Sequence, residues 1–81
     1  MATVLFTGNI RQYCGNREET EVSATSYRAA VRELKEQFPQ LTDEVLERYS
    51  VSIDGVLFQT PLLETFDPDS ELVFIPRIGG G

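Results

Sequence analysis

Apolar residues fall at strand spacing near both ends of the chain, and between them they recur at helical spacing. Over 3–7, Val4 and Phe6 fall on one side and Thr3, Leu5 and Thr7 on the other, the period-two pattern of a strand with one buried face. The stretch 8–16 is polar and expected to be irregular, with Gly8, Asn9, Gly15 and Asn16 as turn formers. A second strand is predicted over 20–24, with Val22 and Ala24 inward, making a hairpin with the first. The spacing then predicts a helix over 27–38, capped by Thr25 or Ser26, with a stripe of Tyr27, Ala30, Val31, Leu34 and Phe38. Pro39 ends it, because a residue preceding proline avoids the α region. Arg28, Arg32, Glu33, Lys35 and Glu36 fill the rest of its surface, with Arg32 and Glu36 one turn apart.

Leu41, Val45 and Leu46 predict a short second helix over 41–47, with Thr42 or Asp43 as its cap. A strand over 50–53 with Val51 and Ile53 inward follows, and Asp54-Gly55 is a two-residue turn that returns the chain along 56–59. Leu62, Leu63 and Phe66 occupy an irregular stretch, and Pro68-Asp69-Ser70 turns into a last strand over 71–78. That strand sets Leu72 and Phe74 against Val73 and Ile75, so both its faces are apolar. It either lies centrally or exposes an adhesive face. The order β-β-α-β-β-β predicts an α+β domain spanning 1–81, one main helix across a mixed sheet of four to five strands. One helix stripe covers only one face, which leaves Leu5, Val73 and Ile75 on the other as a candidate docking patch.

Composition narrows the chemistry. The 81 residues contain neither His nor Trp, and Cys14 is the single cysteine. An internal disulfide, a Cys/His metal site and imidazole-assisted nucleophilic catalysis are therefore excluded. Cys14 is expected to be a half-buried loop residue. Thirteen acidic against seven basic residues give a net charge of −6, which disfavours nucleic acid and favours a basic-surfaced protein partner. No apolar run approaches the length of a membrane span and no secretory signal is visible, so a cytoplasmic location is expected.

What chemistry remains sits at the end of the sequence. Gly79, Gly80 and Gly81 make a thin, flexible tail over 78–81, able to enter a channel closed to larger residues. The four residues beyond Arg77 reach about 13 Å at roughly 3.3–3.6 Å each. A carboxylate at Gly81 is ionised at neutral pH and resists nucleophilic attack until it is activated.

Element order, last strand and tail resemble the MoaD/ThiS-type sulfur carriers of the ubiquitin-like β-grasp fold, with the MoaD type nearest. The resemblance runs along essentially the whole chain. Its most specific part is 67–81, an acidic turn followed by Glu71-Leu72-Val73-Phe74-Ile75-Pro76-Arg77-Ile78 and the glycines. Pro76, Ile78 and Gly80-Gly81 match the family's final positions, and Arg77 stands where a second proline is frequent. Ile10-Arg11-Gln12-Tyr13 before Gly15 also resembles the loop helix of the MoaD type.

The resemblance implies a protein that is not an enzyme by itself and binds no cofactor. An E1-like adenylyltransferase of the MoeB/ThiF type, using ATP, would adenylate Gly81, and sulfur would then replace AMP to give a thiocarboxylate. The large subunit of molybdopterin synthase (MoaE type) would receive that sulfur for molybdenum cofactor synthesis. Thiamin or cysteine synthesis, or conjugation of Gly81 to lysines as a protein modifier, are the alternatives. Gly79 and Gly80 would permit tunnel entry, and Pro76 would stiffen the strand exit. Leu5, Val73, Ile75, Pro76, Arg77 and Ile78 would meet the partner.

Overall fold

The computed structural model describes residues 1–77, so the expected tail, with Ile78, Gly79, Gly80 and Gly81, lies outside the described residues. Strand β1 (Ala2–Phe6) buries Ala2, Val4 and Phe6 and leaves Thr3 and Leu5 half-buried on the other face. A 3-10 helix (Gly8–Tyr13) then carries the chain to β2 (Glu19–Val22), which pairs antiparallel with β1. The segment expected to be irregular is thus ordered around two buried anchors. Ile10 and Cys14 are both fully buried, so Cys14 belongs to the core rather than being half-exposed. Strand β2 ends at Val22; its inward residues are Thr20 and Val22, and Ala24 packs against the core from beyond the strand.

Helix α1 (Tyr27–Gln37) begins at Ser26, whose Oγ accepts from the Ala29 amide at 3.3 Å. Its last residue is Gln37, with Phe38 as the C-cap before Pro39, one residue short of the expected end. Ala30 and Leu34 are its fully buried residues, with Tyr27 and Val31 packed at the margin. The Arg32–Glu36 neighbours form no salt bridge among the described residues. Thr42 caps the short α2 (Asp43–Leu46) by accepting from the Val45 amide.

Strand β3 (Tyr49–Ile53) turns through Asp54 and Gly55, at φ +49° and +87°, into β4 (Val56–Phe58). Both turn residues take the positive φ that such a turn needs. Strand β5 (Glu71–Pro76) runs between β1, to which it is parallel, and β3, to which it is antiparallel. The sheet order is β2-β1-β5-β3-β4.

The core lies between α1 and one face of this sheet. Phe6 meets Phe38 edge-on at 5.8 Å and stacks with Phe74 at 6.4 Å, while Tyr27 covers Phe74 from the helix side at 6.4 Å. Thr20 donates to Gln37 at 2.6 Å, tying β2 to α1. Among the described residues no buried side-chain polar atom lacks a partner. No helix among them is long and apolar enough to cross a membrane, and no acidic, cysteine or histidine cluster is arranged to hold a metal.

Candidate functional site

The open face follows from strand register. Leu5 pairs with Val73, Val73 with Ser52, and Ser52 with Leu57, so one row crosses four strands. On the β2 side this row ends at Glu19, opposite Leu5. A parallel row sets Ile75 beside Ser50, and another sets Glu21, Thr3 and Glu71 in line. Leu5, Val73 and Ile75, predicted to share the uncovered face, are therefore neighbours there and half-buried. Leu57 joins them at 54% exposure and was missed by periodicity. A signal for it existed: a two-residue turn at Asp54-Gly55 fixes Ile53 opposite Val56, and hence Ser52 opposite Leu57. The apolar row is bordered by the carboxylates of Glu19, Glu21 and Glu71, all exposed.

The chain leaves the sheet beside this face. Gly8 sits at φ +72°, and a Cβ on it would stand 3.3 Å from Pro76 Cγ, so the start of the 3-10 helix abuts the end of β5. Thr7 Oγ1 donates to the Phe74 carbonyl at 2.7 Å. Beyond Pro76, the Arg77 amide donates to the Arg48 carbonyl at 3.0 Å, and its guanidinium donates to the Gln59 carbonyl at 2.5 Å. Arg77, expected among the partner-contacting residues, is tied to the residue before β3 and to the segment after β4. The Tyr49 hydroxyl donates to Asn9 Oδ1 on the same side of the sheet end.

Little of the titratable inventory is poised for reaction. Burial pushes the Cys14 thiol up to about 11, leaving it protonated at neutral pH and a poor nucleophile. Burial likewise raises Tyr27 to about 12 and moves Tyr49 upward. Among the described residues only Asp54 moves down, because the Ser70 hydroxyl and the Glu71 amide donate to its carboxylate. The described residues make a surface and an exit, with no nucleophile–base pair among them.

No protein-family model matches this sequence, and no curated protein matches it. Solved structures do match. The solution structure of the small archaeal modifier protein 1 from Methanosarcina acetivorans aligns with a TM-score of 0.78 at 19% identity, over 99% of this chain and 95% of that one. The crystal structure of small archaeal modifier protein 1 from Haloferax volcanii gives 0.73 at 19% identity, covering 99% and 98%. The fold is the ubiquitin-like β-grasp. A further crystal structure of the Haloferax volcanii protein aligns at 0.64 and 15% identity, covering 95% and 97%. At these identities the likeness is one of backbone architecture, and it extends along nearly the full length of each β-grasp domain compared.

Proposed function

We propose that this protein is a ubiquitin-like sulfur carrier whose working group is the carboxylate of Gly81. The observation that carries the reading is the exit geometry. Strand β5 sits at the sheet centre and is held as far as Arg77, after which the sequence runs into Ile78 and three glycines. A rigid domain thus holds the root of that glycine segment at the end of a central strand. An E1-like partner recognises the Leu5, Val73 and Ile75 face and transfers AMP from ATP to Gly81, releasing pyrophosphate. The outer sulfur of a persulfide attacks the acyl carbon and AMP leaves, giving an acyl disulfide; a second thiol then attacks the donor's sulfur, forming a disulfide with it and releasing the thiocarboxylate. The acidic border of Glu19, Glu21 and Glu71 fits a partner with a basic rim, which also suits the net charge of −6. Transfer to a molybdopterin precursor through a MoaE-type subunit is the acceptor step we favour, on the MoaD-like last strand and the helical 8–13 segment.

Intact mass spectrometry tests the reading. The 81-residue chain, incubated with ATP, a cognate activating enzyme and a sulfur donor, is expected to exchange one oxygen for sulfur. Deletion of Gly81, or Gly80→Val, abolishes the exchange without altering the melting temperature. Activation of Gly80→Val at the parent rate would sink the tunnel-entry role of the glycines. The fold likeness to small archaeal modifier proteins favours a second reading, conjugation of Gly81 to lysines. Higher-mass adducts that survive denaturing electrophoresis and reductant, in place of the thiolated monomer, would select it.

A further inference from the structure

The helix layer has an unpartnered surface of its own, opposite in charge to the open sheet face. Around α1, Glu33 accepts from the Ser23 amide and hydroxyl, and Gln37 donates to the Glu21 carbonyl, so that flank is committed to β2. On the other flank, Arg28, Arg32 and Lys35 follow one another at three- and four-residue spacing and share one side of the helix. They rim a groove of about 360 Å³. Its apolar lining comes from Tyr27, Val31, Leu46 and Leu62.

Leu62 lies on the loop after β4, and the backbone fixes that loop to the helix start. The Tyr27 amide donates to the Glu64 carbonyl at 3.0 Å, and the Phe66 amide to Thr25 at 2.8 Å. Even so, Leu62 is 58% exposed and the adjacent Leu63 82%. Two adjacent leucines held in water by a stitched loop gain nothing for the fold of this chain.

Charge decides what would cover them. Three of the seven basic residues of a protein with net charge −6 gather at this one groove. Lys35 is paired with Asp43, which also lines it, while Arg28 and Arg32 form no salt bridge among the described residues. Arginine forks at the rim of an apolar trough suit carboxylates that flank apolar side chains. Nucleic acid would satisfy the cations but has no aliphatic groups for the trough, and the rest of the surface repels it. We propose that this groove docks a partner-protein segment in which Asp or Glu residues flank Leu, Ile or Phe. It is a second surface, separate from the acidic-bordered sheet face, so the domain can hold one protein by α1 while the sheet face meets another.

The test is selection of a randomised peptide pool of roughly twelve residues, displayed on phage, against the full chain. Selected peptides are expected to combine acidic with aliphatic or aromatic residues, and to move the amide resonances of Tyr27, Arg28, Val31, Arg32 and Leu62. Binding should fall at least about tenfold for Arg28→Glu with Arg32→Glu, and for Leu62→Ser, while each variant keeps the parent's circular dichroism spectrum. A pool without acidic enrichment, a pool that binds the charge-reversed variant as well as the parent, or shifts centred on Leu5 and Val73 would each overturn the proposal. So would equal binding of a single-stranded oligonucleotide at the same residues. Arg28→Glu with Arg32→Glu should still accept sulfur at Gly81, so loss of docking and failure of the carrier reading are told apart.

Discussion

Strand β5 carries Leu72 and Phe74 on one face and Val73 and Ile75 on the other, four apolar residues in succession whose fates diverge. Leu72 and Phe74 are 0% and 1% exposed beneath α1. Val73 and Ile75 stay half-buried on a sheet face that no element of the described chain covers. The strand is central, so its backbone hydrogen bonds are satisfied on both sides whatever the side chains do. Side-chain identity is therefore free to serve folding on one face and recognition on the other. A two-layer domain of this size has one helix layer to offer, and the uncovered apolar row is what remains available for a partner.

The largest expected effect comes from the covered face. Phe74→Ala removes the ring that stacks on Phe6 and lies under Tyr27, at a cost of roughly 3–5 kcal/mol. Marginal domains hold only about 5–15 kcal/mol, so urea titration should find a protein near unfolding. A denaturation midpoint equal to the parent's would erase the distinction between the faces.

Gly8→Ala comes next. It probes the end of β5 rather than either face: φ +72° is costly for any L side chain, and the new Cβ would press on Pro76. About 1–2 kcal/mol of destabilisation is expected, visible as a lowered melting temperature. A neutral outcome would mean that the strand exit yields easily and does not present the tail from a fixed position.

The open face should behave in the opposite way. Val73→Thr with Ile75→Thr keeps β-branched residues in the strand while removing apolar contact area, and should cost about 1 kcal/mol or less per site. If the proposed carrier reading holds, activation of Gly81 by an E1-like partner should nonetheless weaken severalfold, read as a raised KM for this chain. Wild-type KM in this variant would remove Val73 and Ile75 from the docking surface.

The comparison also marks what the sequence could convey. Apolar runs on both faces of β5 already required either a central strand or an adhesive one, and the structure makes it central. The helix stripe, its stop before Pro39 and the Asp54-Gly55 turn were equally legible, because each is written in neighbouring residues. The parallel pairing of β1 with β5 was not, since nothing within a few residues of Thr3 or Glu71 specifies a partner so far along the chain. The segment after β1 was obscured because its polar, glycine-bearing composition hides the spacing of Ile10 and Cys14, whose side chains turn inward together. The basic groove was not legible for a related reason. Arg28, Arg32 and Lys35 look like an ordinary solvated face until the loop bearing Leu62 is seen folded against them.

The smallest effect should come from the entry to β5. Ser70 Oγ donates to Asp54 Oδ2 at 2.6 Å and the Glu71 amide to Oδ1 at 2.9 Å, so this carboxylate ties the β3–β4 turn to the first residue of the strand. These bonds hold Asp54 below its ordinary 3.8. With the folded value depressed, the unfolded chain takes up the proton first as pH falls. The contribution of Asp54 is therefore present above 3.8 and is lost as pH drops through the folded value. Asp54→Asn keeps a residue that tolerates positive φ but cannot ionise. Its melting temperature should lie slightly below the parent's at neutral pH, and the gap should close as pH falls through the folded value of Asp54, below which both side chains are uncharged. The Asp54 side of the tie is exposed, so the gap should be modest even at neutral pH. A gap unchanged across that range would show that the turn alone, without the charge, sets where β5 begins and hence which of its residues face α1.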